Sequence, residues 1–67
     1  MENNELLSAE LLKFLGKEIK LYLKNGFFYQ GKILDLDNNF LVLFDFKTQQ
    51  KRVFNLDCIS SFVGVGE

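Results

Sequence analysis

The stretch Ile19 to Phe46, IKLYLKNGFFYQGKILDLDNNFLVLFDF, decides the fold. Ile19, Leu21 and Leu23 alternate with Lys20, Tyr22 and Lys24, the period-two pattern of a half-buried strand. Asn25-Gly26 follows, a pair suited to a type I′ turn, and a second β-prone run starts at once. A two-residue turn sets Lys24 opposite Phe27, Leu23 opposite Phe28, Tyr22 opposite Tyr29 and Leu21 opposite Gln30. Continued regularly, that ladder puts Lys32 opposite Ile19 and leaves an apolar strand facing polar side chains. A bulge or sharp bend at Gly31 is the expected remedy, since one added residue brings Ile33 onto the face of Ile19 and curls the sheet.

Working outward, Asp37-Asn38-Asn39 reads as a turn whose side chains can bond their own backbone. Phe40 to Phe44 is apolar without alternation, which predicts a central strand covered on both faces. Lys47 to Gln50 is the next polar turn, Lys51 to Phe54 a short fourth strand, Asn55-Leu56-Asp57 a tight link and Cys58 to Val63 a fifth strand. Upstream, Asn3 or Asn4 can cap a helix carrying Leu7, Leu11, Phe14 and Leu15 on one stripe, with Gly16 placed to stop it. That helix, over about residues 4–15, is expected to lie as a lid on the sheet. The expectation is therefore one domain over residues 1–67, mainly β: an N-terminal helix and a strongly bent five-stranded antiparallel meander between about residues 18 and 63, a small barrel.

A chain of 67 residues buries only about 60% of its unfolded surface. Yet 48% of it is apolar and eight residues are phenylalanine, so some of that surface is expected to meet another subunit. The short edges formed by the fourth and fifth strands are where copies would join. One cysteine excludes an internal disulfide, and the lack of histidine removes the commonest metal ligand and general base. No apolar run is long enough for a membrane span and no basic-then-apolar leader opens the sequence, so a cytoplasmic protein is expected.

Catalysis is not expected: there are no paired carboxylates at helical spacing and no phosphate-cradling glycine loop, and Cys58 reads as a packed thiol. No cofactor or metal is implied. What remains is a binding surface. Rings stack bases, amides read base edges and lysines meet phosphate, so Tyr22, Phe27, Tyr29, Gln30 and Lys24, with Asp37, Asn38, Asn39 and Asn55, are the candidate single-stranded RNA residues. Phe28 is assigned to the core. The formal charge of −1 argues against binding nucleic acid mainly by bulk electrostatics.

The order of helix, Asn25-Gly26 hairpin, Gly31, Ile33, Asp37 turn and short last strand pair resembles the Sm-like superfamily, and its bacterial Hfq branch most closely. The likeness is densest over Leu21 to Gly31. It implies a homo-oligomeric ring of about six or seven subunits that binds single-stranded RNA without catalysis. The alternative is a small-barrel assembly module without RNA binding. The chain departs from the family pattern on the side that would hold uridine-rich RNA. Asn39 stands where an aromatic residue is usual, Asn55-Leu56-Asp57 replaces a basic element, and Glu5 stands at a glutamine position. The resemblance therefore implies binding on the hairpin face, leaning to adenine.

Overall fold

The computed structural model describes residues 4–66. Helix α1 (Glu5–Leu12) precedes strands β1 (Glu18–Leu23), β2 (Phe28–Leu36), β3 (Phe40–Asp45), β4 (Gln50–Asn55) and β5 (Ile59–Gly64), with a 3₁₀ turn at Leu56–Cys58 before the last strand. All neighbouring strands are antiparallel, in the order β4-β3-β2-β1-β5. A mainly β chain with an N-terminal helix and a five-stranded antiparallel sheet is thus what the sequence pattern predicts. The first four strands are a meander, but β5 returns to pair with β1 rather than β4. β2 is therefore the central strand, and β4 and β5 are the two open edges. The β3 strand is not covered on both faces: Leu41, Leu43 and Asp45 are buried and Phe40 is exposed.

The helix stops earlier than its apolar stripe. After Leu12 the backbone tightens, with Phe14 N–H donating to Leu11 O at 2.9 Å and Leu15 N–H to Leu12 O at 3.1 Å. Leu15 then leaves the stripe to bridge Ile33 and is largely exposed. Asn4 holds the N-cap position, but its side chain makes no cap bond and its amide donates to Asp57 Oδ1 at 2.7 Å. Asn3, the other candidate cap, lies outside the described residues. The lid role holds: Leu11 is fully buried, Leu7 and Phe14 pack beside it, and the Phe14 ring meets Phe62 edge-on at 5.4 Å.

The hairpin differs from the expected two-residue turn. Gly26 N–H donates to Leu23 O at 3.1 Å and Leu23 N–H to Phe27 O at 2.9 Å, so the connection is the three residues Lys24-Asn25-Gly26. Gly26 takes the positive φ, +92°, while Asn25 does not. This is a type I turn closed by a glycine bulge, the next most common hairpin solution. It moves the ladder by one residue: Tyr22 faces Phe28, Leu21 faces Tyr29 and Ile19 faces Gly31. Ile19 and Leu21 then share a face with Tyr29, Gly31 and Ile33, with no bulge at Gly31. The residue that breaks the β2–β3 ladder is Leu34, since Ile33 pairs with Leu43 but Asp35 pairs with Val42. The core on the inner face is Leu11, Ile19, Leu21, Ile33, Leu41, Leu43, Leu56 and Ile59.

A candidate nucleic-acid interface

The corrected register sorts the candidate residues onto different surfaces. Tyr22 lies on the outer face of the sheet beside Phe28, ring centroids 6.1 Å apart. The Lys20 ammonium stands over both rings, 4.7 Å from the Phe28 centroid and 5.8 Å from that of Tyr22. Phe28 is 56% exposed, so it is not a core residue. Tyr29 faces the other way. Its ring packs on Phe54 at 5.0 Å and lies under the Arg52 guanidinium at 5.5 Å, so no Tyr22–Tyr29 platform exists. Gln30 shares the outer face with Tyr22, its amide donating to the Glu18 carboxylate. Phe27 is exposed at the hairpin turn, where its N–H donates to Asn25 Oδ1. Lys24 stands beside it with its backbone N–H donating to Cys58 O at 2.9 Å.

The remaining candidates form a second group. Asp37 Oδ1 accepts the N–H groups of Asn39 at 2.7 Å and Phe40 at 2.8 Å, closing the β2–β3 turn around exposed Asn38. Asn55 faces Phe40 across the ladder, and its side chain accepts Asp57 N–H at 2.9 Å to start the 3₁₀ turn. Asn39 O accepts from Leu56 N–H at 2.9 Å and ties the two turns together. The Asp37 and Asn55 side chains are spent on holding backbone. Cys58, read as a packed thiol in a strand, is exposed in the 3₁₀ turn.

A third feature joins Phe27 and Tyr29 to residues outside the sequence-derived candidates. An open cleft of about 790 Å³ runs between the hairpin and the β3–β4 turn, lined among others by Phe27, Tyr29, Phe46, Lys47, Thr48 and Arg52. Its floor is anchored by Asp45, which is only 3% exposed. The Asp45 carboxylate accepts the Thr48 hydroxyl at 2.8 Å, Arg52 Nε at 3.0 Å and Lys47 N–H at 3.1 Å. A carboxylate this well supplied with donors is bearable inside a small core. Asp45, Thr48 and Arg52 do not stand out in the sequence because polar side chains flanking a turn look like solvated loop. The usable signal was parity: apolar positions 19 and 21 match 29, 31 and 33 only if the turn has three residues, and that register exposes Phe28 and turns Tyr29 toward β4.

Both turn carboxylates titrate below the ordinary aspartate range. Asp37 is lowered by the N–H donors of Asn39 and Phe40. Asp45 is lowered first by the Thr48 hydroxyl, with Arg52 and Lys47 N–H acting in the same direction and burial opposing them. Because the folded values lie below the unfolded one of about 4, the stability they contribute is present above that pH and is lost as pH falls through the folded values. Melting temperature is therefore expected to stay level from neutral pH to about 5 and to drop below about 4. Asp45→Asn should lower the neutral-pH melt and flatten the acid limb; an unchanged acid limb would show that Asp45 is not one of its sources.

No protein-family model matches the chain, and no curated protein matches it. Among solved structures, it is similar to the 1.55 Å crystal structure of the pleiotropic translational regulator Hfq, with a TM-score of 0.75 and 20% identity. The match covers 87% of this chain and 97% of the other. The chain has the Hfq or Sm-like fold.

Proposed function

We propose that this Sm-like chain closes into a homo-oligomeric ring and binds single-stranded RNA on the outer face of its hairpin. The observation that carries the reading is the Tyr22–Phe28 pair on the outer face, Phe28 exposed and Tyr22 half-buried, with Lys20 over both rings. A domain of this size has no packing reason to set two adjacent rings on its outer face, and base stacking on such rings is worth about 1–3 kcal/mol per base without a strong positive field. That suits a chain of net charge −1. The opposite side suits RNA less, because Asp37 and Asp57 would meet phosphate in every copy.

Assembly follows from the two open edges. β4 and β5 each have a neighbour on one side only, and pairing β4 of one copy with β5 of the next is a heterologous contact that can close. By the resemblance, closure would come at about six or seven copies. No helix among the described residues is long and apolar enough to cross a membrane. The reading places the ring in the cytoplasm and assigns it no catalysis and no cofactor.

Titration of fluorescent oligo(A) and oligo(U) tests this reading. Oligo(A) should bind more tightly, with a shallow salt dependence of about one to three released counterions per bound segment. Tight oligo(U) binding that is lost on changing Asn39 or Asp37 and indifferent to Tyr22 would move the site to the other side. One feature favours a second reading, an assembly module without RNA: Phe40, Phe46 and Val53 are also exposed, beside the half-buried Val42 and Phe44. Binding of neither strand would select it.

A further inference from the structure

We infer that the cleft between the hairpin and the β3–β4 turn is a guanine-selective nucleotide site, with Arg52 as its specificity-determining residue. This rests on the RNA-binding reading and adds a second base position next to the Tyr22–Phe28 pair, since Phe28 also lines the cleft. The argument begins with which edge of Arg52 is spent. Its side edge is held by the protein: Nε donates to Asp45 Oδ2 at 3.0 Å, and Nη2 lies 3.5 Å from the Thr48 hydroxyl. Nη1 has no partner among the described residues, so the end-on edge formed by Nη1 and Nη2 keeps its donors. Arg52 is held in place from below as well, by the Tyr29 ring 5.5 Å from its guanidinium carbon.

The walls supply the other half of a base site. Phe27 is 64% exposed on the hairpin side and Phe46 41% exposed on the opposite side, both lining the cleft and neither in the core. Lys47 also lines the cleft and brings an ammonium that a phosphate can meet. Asp45, the buried carboxylate at the floor of the cleft, is fully engaged by Thr48, Arg52 and Lys47 N–H. From Arg52 and Lys47 the site offers donors. Guanine presents two acceptors side by side, O6 and N7, which a guanidinium edge meets with two parallel bonds. Adenine sets an amino donor beside N7 and would leave one Arg52 N–H facing another donor. The cleft therefore prefers guanine, whereas the outer-face rings stack any base.

The test compares fluorescent single strands of equal length: all adenine, and adenine with isolated guanines spaced so that no quadruplex forms. The parent protein should bind the guanine-bearing strand at least about fivefold more tightly, the lower end of one bidentate base contact. Arg52→Lys keeps a cation against Asp45 but has no planar fork; Arg52→Gln removes the charge. Both should erase the guanine preference while leaving all-adenine affinity within about twofold, because adenine gains nothing from that edge. Thermal melts of both variants establish that they fold, and Arg52→Lys carries the test if Arg52→Gln does not. Equal affinity for both strands in the parent, or a preference surviving in Arg52→Lys, would overturn the guanine site and leave the RNA reading standing. Binding of neither strand would overturn both.

Discussion

Gly31→Val should leave the domain largely unfolded at room temperature or lower its melting temperature by more than about 10 °C. The expected reason was a bulge; the structure supplies a different and stronger one. Gly31 is buried where β2 is crowded by β3, and a β-carbon there would overlap the Phe44 carbonyl oxygen and lie 2.8 Å from its carbonyl carbon. The obstacle is backbone, so no rotamer change relieves it. Overpacking of this kind costs about 3 kcal/mol at its upper range. A chain of this length has a total stability of only about 3 to 10 kcal/mol. Gly26→Ala is the informative comparison. Its β-carbon would meet nothing within 4 Å, so only the positive φ of +92° opposes it, at about 1 kcal/mol. If Gly31→Val melted no lower than Gly26→Ala, the close approach of β2 and β3 would be wrong.

The second large effect is on binding. Tyr22→Ala should weaken oligo(A) at least about tenfold, and the double change with Phe28→Ala about a hundredfold, because each ring removed forfeits a stacked base. Both side chains lie on the solvent side of the sheet and neither is in the core, so the variants should fold as the parent does. Asn39→Ala should leave affinity nearly unchanged, since the contacts made by Asn39 are through its backbone N–H and carbonyl. Lys20→Ala separates charge from stacking. It should reduce affinity by only a few fold and make the salt dependence shallower still. Affinity that fell with Lys20 but not with Tyr22 would mean that phosphate, not base stacking, holds the strand.

How far this was legible from sequence depends on the kind of information each element needed. Strand positions were legible because alternation is local: Ile19 and Leu21 point inward as their spacing implies, and the Asp37 turn falls where expected. Register was not, because it hangs on a single residue in the turn. Asn25-Gly26 suits either a two-residue loop or the last two positions of a three-residue one, and only the inward parity of the second strand separates them. That one-residue difference carried Phe28 from the core to the surface and Tyr29 from the surface to the edge of the core. The Asp45–Arg52 pair was illegible for another reason. Its members lie seven positions apart across a turn, and a buried carboxylate is recognised by its donors rather than by its neighbours in sequence. The return of β5 to β1 is likewise non-local, and nothing in the alternation of the last strand distinguishes that pairing from one with β4.

The central claim is that a ring of these chains holds single-stranded RNA, and sedimentation of a fluorescent oligo(A) strand with the protein at micromolar concentration tests assembly and binding together. The labelled strand should sediment with a species of roughly six or seven times the 7.8 kDa chain mass, and Tyr22→Ala should release the strand without changing the mass of the protein. A strand that stays free beside an intact ring, or a protein that sediments as a monomer, would contradict the account.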